Sequence, residues 1–268
     1  MSGNYSSEVD VMVTAIILSG GSGSRLGSDI PKQYIEVAGK PVISYCLETL
    51  FNSRFIDSVL IVAAENWQEY ISKKVSKLNN NGKFIGYALP GKTRQLSIYN
   101  GLKAIEKYAL QNPEHYVFIH DAARPLLSEN DIASYVTAAR GHDGVLPVLP
   151  MKDTVYLSDD GMQISSLLNR KKVFAGQAPE FFVYKKYLDA NERLITWSMS
   201  SNGTDKLIAP DSDIYMINGS TEPAIMAGMD ICIVPGNESN FKITTAEDFA
   251  RFKIVIRKRC SADEEMES

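Results

Sequence analysis

The chain has 268 residues, 44% hydrophobic and 22% charged, which is ordinary globular composition with enough apolar material for a sizeable core. A formal net charge of −4 excludes the basic field that a nonspecific nucleic-acid binder needs. Cys46, Cys232 and Cys260 stand at no metal-ligand or redox spacing, no apolar run approaches a membrane span, and the first ten residues lack the pattern of a signal peptide, so a cytoplasmic protein without a disulfide framework is expected.

Val11 to Leu18 is an apolar, β-branched run that ends in glycines, as a buried parallel strand reads before its loop. The stretch that follows, to Lys32, is rich in small residues between Ser19 and Ser24 and carries two cations, Arg25 and Lys32. Small residues let backbone N–H groups approach an anion, and the cations supply its countercharge, so this loop reads as a phosphate cradle. A flexible surface turn is the alternative reading of the glycines alone. A helical pattern opens at Pro41, with Val42, Ile43, Tyr45, Cys46 and Leu50 available for one buried face. Strands are predicted at 58–63, 84–88 and 116–120, and helices at 65–78 and 96–110. A helix over 130–140, capped by Ser128 or Asn130, and a strand at 144–148 complete a βαβαβαβαβ order. That alternation predicts a Rossmann-like α/β fold: a mostly parallel sheet with helices on both faces, and ligands beyond the carboxyl ends of the strands.

The pattern changes at Pro150. Thr154 to Leu157, the turn Ser158–Gly161 and Ile164 to Leu168 predict a β-hairpin that projects from the sheet as an arm over 150–172, to dock a second subunit or to lie free as a flap. Between Tyr184 and Asp213 only a loop at Ser198–Gly203 is predicted. A short helix from Ser220, a strand at 230–234 and a last helix at 245–257 follow, the last capped by Thr244 or Thr245. We expect one domain over 1–258 and a disordered acidic tail over 259–268.

Two motif matches fail on physical grounds. Gly86–Thr93 satisfies the pattern of a P-loop, but Pro90 has no N–H to give a phosphate, and Tyr87 and Leu89 put bulk where such a loop must hug its ligand. Gly21-Ser-Gly23 after a first strand suggests a dinucleotide fingerprint, but Leu26 stands where the third glycine must allow close helix packing. A nicotinamide enzyme is therefore disfavoured.

His120-Asp-Ala-Ala-Arg-Pro125 closes the fourth predicted strand and brings Asp121 to the end of the sheet where the opening loop lies. A carboxylate there can hold magnesium or a ribose hydroxyl, or simply cap a turn. The opening loop, Pro31–Tyr34, Gly91–Arg94, His120–Pro125, Asp153-Thr154, Gln177-Ala-Pro179 and Asn240–Thr245 occur in this order over most of the chain. Together they resemble the cytidylyltransferases that act on polyol phosphates, with a ribitol-5-phosphate branch of wall and capsule polymer (teichoic acid) synthesis and a 2-C-methyl-D-erythritol 4-phosphate branch of isoprenoid synthesis.

The resemblance implies transfer of CMP from CTP to a polyol phosphate with Mg2+, in a homodimer joined through the arm. It implies that Arg25, Lys32 and Lys242 stabilise the transition state, and that Leu18, Ser19, Gly20, Gly21, Gly23, Gly91, Ser97, Asp121 and Ala122 hold the nucleotide, Asp121 with the metal. Arg124, Thr154 and Arg170 match acceptor-binding positions, and at the base of the arm Arg170 is placed to serve the neighbouring subunit. Lys40, Lys92, Lys171 and Lys172 read as solvated charges, and His120 as a locally bonded side chain. Ala178 replaces the threonine usual in the family, and the Thr-Asp-x-x-Ser element is not evident, with Asn218–Glu222 in its place and Asp211–Asp213 as a substitute. Because these departures lie on the acceptor side, ribitol 5-phosphate is only slightly preferred over the methylerythritol acceptor. A catalytically silent nucleotide-binding homologue is the alternative from another class.

Overall fold

The computed structural model describes residues 11–21, 30–200, 217 and 219–267. Strand β1 (Met12–Leu18) is followed by a 3-10 turn at Lys32–Tyr34, a small ribbon of β2 (Glu36–Val37) and β3 (Lys40–Pro41), and helix α1 (Val42–Asn52). Then β4 (Ser58–Val62), α2 (Glu65–Val75), β5 (Phe84–Ala88), α3 (Arg94–Ala109), β6 (His115–Asp121), α4 (Glu129–Ala138) and β7 (Gly144–Pro150) alternate. The remainder comprises β8 (Val155–Leu157), β9 (Ser166–Leu168), β10 (Phe174–Gly176), β11 (Glu180–Val183), α5 (Tyr184–Ser200), α6 (Glu222–Met226), β12 (Ile231–Pro235) and α7 (Ala246–Glu267).

The eight-stranded sheet runs in the order β10-β7-β11-β6-β1-β4-β5, and β12 pairs with β7. β1 lies between β6 and β4, parallel to both, with Leu18 opposite Asp121 on one side and Val62 on the other. This register aligns the carboxyl ends of three strands, so the opening loop leaves the sheet beside Asp121. Alternation along β1 divides the core: Val13, Ala15 and Ile17 pack with α1, α2 and α4, while Ile16 packs with Ile98 and Leu102 of α3 and Tyr187 of α5. Helices therefore cover both faces, as expected. On α1 the buried stripe is Ile43, Cys46, Leu47 and Leu50, the spacing of one helical face. A third cluster, Val37, Val42, Leu126, Ile243, Phe252 and Ile256, seats α7 and the loop before it against the domain.

The arm is present: β8 and β9 pair antiparallel, Val155 opposite Leu168, around a turn that Gly161 enters with φ +72°. It leaves Met162, Ile164 and Leu167 more than 60% exposed. Four elements differ from expectation. β10 and β11 were not foreseen; Glu180 to Val183 pair antiparallel with β6 inside an otherwise parallel region, on a strand too short to show a period. Helix α5 runs through Ser200, where a loop was expected from Ser198, because Tyr184, Tyr187, Leu188 and Leu194 form a helical stripe that buried Asn191 interrupts in hydropathy. Helix α7 continues to Glu267 rather than fraying after Lys258; that stretch holds no glycine or proline to stop it. Among the described residues no helix is long and apolar enough to cross a membrane.

His115 and His120 are both buried, and burial pushes each imidazole down to about 4. His115 Nε2 lies 2.9 Å from Thr14 Oγ1, and His120 Nε2–H donates to the Arg124 carbonyl at 2.9 Å, while Nδ1 of each has no partner. Since both fold neutral and the unfolded chain takes up protons near pH 6.5, the unfolded state binds more protons between about pH 4 and 6.5. Their stabilisation, up to about 3 kcal/mol each, is complete above that window and lost as pH falls through it. Urea midpoints should therefore drop steadily from pH 7 to pH 4; a flat profile would show that these rings are not held neutral.

Candidate active site

A cavity of about 580 Å³ opens at the carboxyl ends of β1 and β6, roofed by the loop that enters α3. Its floor begins at Leu18, Gly20 and Gly21. Gln33, in the 3-10 turn, donates its Nε2 hydrogens to the carbonyls of Ser19 and Gly21 at 2.8 Å each. Tyr34 accepts from Ser19 Oγ at 2.9 Å and donates to the Ser19 carbonyl at 3.0 Å, its ring stacked 4.5 Å from Trp67. Engaging these carbonyls removes the dipole ends that would oppose an anion, which is how a side-chain amide turns a glycine loop into an anion site. Gly20 is required by contact: a Cβ there would stand 2.5 Å from Pro90 Cβ.

The opposite wall is the loop before α3. Gly91 N–H donates to Ser97 Oγ at 3.0 Å, Ser97 donates to the Thr93 carbonyl at 2.8 Å, and Thr93 Oγ1 caps α3 by accepting from Leu96 N. A Cβ on Gly91 would fall 2.3 Å from Leu96 Cβ and 2.7 Å from Leu96 carbonyl carbon. β5 runs through Gly86 at φ +119°, so the segment is no P-loop.

Between these walls Asp121 gathers three cations. Lys242 Nζ lies 2.8 Å from Oδ2, Arg94 Nε 3.2 Å from Oδ1, and Arg124 Nε 3.8 Å from Oδ2. Burial works against the Asp121 charge, but Arg94 and Lys242 outweigh it and hold the carboxyl far below the usual range. Burial likewise opposes the charge on Arg94, and Glu180 and Asp121 more than offset it. Lys242 is delivered by a loop held at several points: Ile243 N–H donates to the Ala123 carbonyl at 2.8 Å, and the Asn240 carbonyl accepts from Arg124 Nη1 at 2.9 Å. Gln177 grips the same loop, its Oε1 accepting from Asn237 N–H and its Nε2 donating to the Asn237 carbonyl, both at 2.9 Å. Lys242 also lines a second hollow of about 450 Å³, with Arg124, Lys152, Gln177 and Arg251. One ammonium group thus lines both hollows, and each hollow carries further cations suited to an anion.

Residues 13–258 match the family model described as IspD: 2-C-methyl-D-erythritol 4-phosphate cytidylyltransferase. The chain belongs to this family. It is 30% identical over 250 residues to a ribitol-5-phosphate cytidylyltransferase of Streptococcus agalactiae serotype V, covering 93% of this chain and 97% of the relative. It is 31% identical over 247 residues to a 2-C-methyl-D-erythritol 4-phosphate cytidylyltransferase of Pelotomaculum thermopropionicum, covering 92% and 95%. The crystal structure of 4-diphosphocytidyl-2C-methyl-D-erythritol synthase from Anaerococcus prevotii superposes with a TM-score of 0.73 at 26% identity, covering 94% of this chain and all of that one. The protein is thus a nucleotidyltransferase with a mostly parallel α/β fold.

In this cytidylyltransferase Leu18, Gly20, Gly21, Lys32, Gly91, Ser97, Asp121 and Lys242 do line one cavity. Arg25 and Gly23 lie outside the described residues, as do Asp211–Asp213. Ser19 and Ala122 are buried beneath the cavity rather than on its wall. Thr154 and Arg170 are exposed at the arm and line neither hollow; Arg170 Nη1 donates to the Lys152 carbonyl at 2.8 Å. Lys92 is exposed, yet it stands on the cavity wall instead of on remote surface. Arg94, Gln33 and Glu180 have no role in the sequence pattern, and Thr244 reads there only as a helix cap, whereas it lines the cavity. Arg94 had a signal, since it lies inside the Gly91–Arg94 motif; Glu180 had none, because β11 was not foreseen. Among the described residues no three His, Cys, Asp or Glu side chains gather as a metal cage.

Gly91→Ala should lower kcat/KM at least tenfold, because the new methyl must displace the backbone of Leu96 and with it the Ser97 contact. The urea midpoint should change far less, since the loop is not part of either large core.

Proposed function

We propose that the enzyme transfers CMP from CTP to a polyol phosphate and releases pyrophosphate. The observation that carries this reading is Lys242 at the junction of the two hollows. With the triphosphate in the first and the acceptor phosphate in the second, that ammonium stands beside the line of attack, within reach of oxygens of both phosphates. Attack in line on phosphorus gathers charge at the centre, and positioned cations are the main means of stabilising it. Lys32 and Arg25 from the opening loop neutralise the triphosphate and the departing pyrophosphate, and Arg124, at the second hollow, takes the acceptor phosphate. No nucleophilic side chain takes part, and His120, neutral and bonded to the Arg124 carbonyl, is not a base.

Asp121, the one carboxylate among the described residues on the first cavity's wall, fits Mg2+ that arrives on the nucleotide and keeps phosphate oxygens and waters as its other ligands. Bound there, the ion supplies charge neutralisation to the phosphates.

Ribitol 5-phosphate is the acceptor we favour, on the likeness of Ser19–Arg25 and Gly176–Pro179 to that branch. The methylerythritol acceptor is the second reading, favoured by the family model and by the Anaerococcus structure. In the dimer we propose, a second copy covers the apolar arm residues Tyr156, Leu157, Ile164 and Leu167, and brings Thr154 and Arg170 to the neighbour's acceptor hollow. Three free cysteines, one of them buried, suit the reducing cytoplasm we assign to it.

Pyrophosphate release with CTP, Mg2+ and a panel of polyol phosphates tests the reading. Turnover should be fastest with ribitol 5-phosphate; a preference for the methylerythritol phosphate would move the enzyme to the other branch, and CTP binding without any turnover would make it a silent homologue. Lys32→Ala should lower kcat by roughly a hundredfold, as loss of a transition-state charge contact does. Unchanged turnover would remove Lys32 from the chemistry.

A further inference from the structure

We infer that Glu180 is a positioning residue that fixes the Arg94 guanidinium across Asp121, and so governs how Asp121 shares its charge with Lys242. The inference rests on the nucleotide reading of the first cavity.

β11 runs antiparallel to β6 with Glu180 opposite Ile119, so Glu180 and Asp121, two residues further along β6, project from the same face of the sheet. Both are buried, and two carboxylates on one buried face repel unless a cation separates them. Arg94, the first residue of α3, does so with two parts of one planar group: Nε lies 3.2 Å from Asp121 Oδ1 and Nη2 3.2 Å from Glu180 Oε2. A guanidinium gripped at two points has its plane fixed, which a single ion pair does not achieve.

Glu180 is itself held. Its second oxygen accepts from Ser220 Oγ, the Ser220 carbonyl accepts from Tyr187 Oη at 2.7 Å, and Gln95 Nε2 donates to Tyr187 Oη and to Asn191 Oδ1. All five side chains of this chain of contacts beyond Arg94 are buried. Glu180 lines neither hollow, so it touches neither nucleotide nor acceptor, whereas Arg94 lines the first. With Glu180 neutral, Arg94 keeps one anchor, Asp121, and competes there with Lys242.

A double-mutant cycle on the full-length enzyme tests this, with steady-state kinetics in CTP and CTP affinity by calorimetry as readouts. Glu180→Gln should raise KM and Kd for CTP about tenfold with a smaller change in kcat, and Glu180→Asp should recover part of the loss. In an Arg94→Ala background, Glu180→Gln should add less than twofold, because residues that act as a unit are not additive. Additive losses, or a Glu180→Gln enzyme indistinguishable from the wild type, overturn the inference. Should Glu180→Gln fail to fold, Ser220→Ala loosens the carboxylate without removing its charge; it should raise KM for CTP about threefold in the wild type and leave it unchanged in Arg94→Ala, and any other pattern overturns the proposal. Wild-type enzyme that binds no CTP would instead remove the nucleotide reading, leaving a result distinct from failure of the cycle.

Discussion

A buried carboxylate among cations organises this molecule. Asp121 closes β6, the strand beside β1, and its charge is tolerable there only because Arg94, Lys242 and Arg124 surround it. Each partner arrives from a different element: the first turn of α3, the loop before α7 and the turn after β6. The ion cluster therefore joins three parts of the chain that have no local reason to meet. Three cations here face two carboxylates, Asp121 and Glu180, so removing Asp121 leaves cations that repel one another, and the geometry of the site and the packing of the domain are tied together.

The same cluster explains why the two hollows function as neighbours. Lys242 is held to Asp121, and its loop is gripped by Gln177 and Arg124 from below. The peptide that carries Gln177 also separates β10 from β11, so the strand that supplies Glu180 and the residue that registers Lys242 are four positions or fewer apart. Substitution of the family's threonine by Ala178 falls within this link, where the side chain is buried and Asn240 Nδ2 donates to its carbonyl at 3.2 Å.

Much of the site is local and therefore legible. Leu18 to Gly21 and Lys32 lie in a short stretch whose chemistry follows from residue type, since small residues and cations near a strand end suit phosphate in most contexts, whereas Gly91 and Ser97 are marked by the family resemblance. The hairpin was equally plain, because its turn and its alternation are contained in some fifteen residues. Glu180, Gln33 and the full length of α5 were not. Gln33 acts on carbonyls more than ten residues away in sequence, and Glu180 acts through a non-local antiparallel pairing; neither leaves a period or a spacing to read. Helix α5 hides because its buried face includes Asn191, whose partner, Gln95, lies on α3.

By itself the sequence determined the alternation of the main strands and helices up to β7, the hairpin arm and the family. These depend on hydrophobic periodicity and short-range chemistry, which the chain carries wherever it folds. Only the tertiary structure decided which charges meet: that Arg94 spans Asp121 and Glu180, that Lys242 stands between two hollows, and that Thr154 and Arg170 remain outside both within one chain. The reason is electrostatic. A charged side chain is defined by its neighbours within a few ångströms, and those neighbours come from strand register and loop anchoring rather than from the residues beside it in sequence.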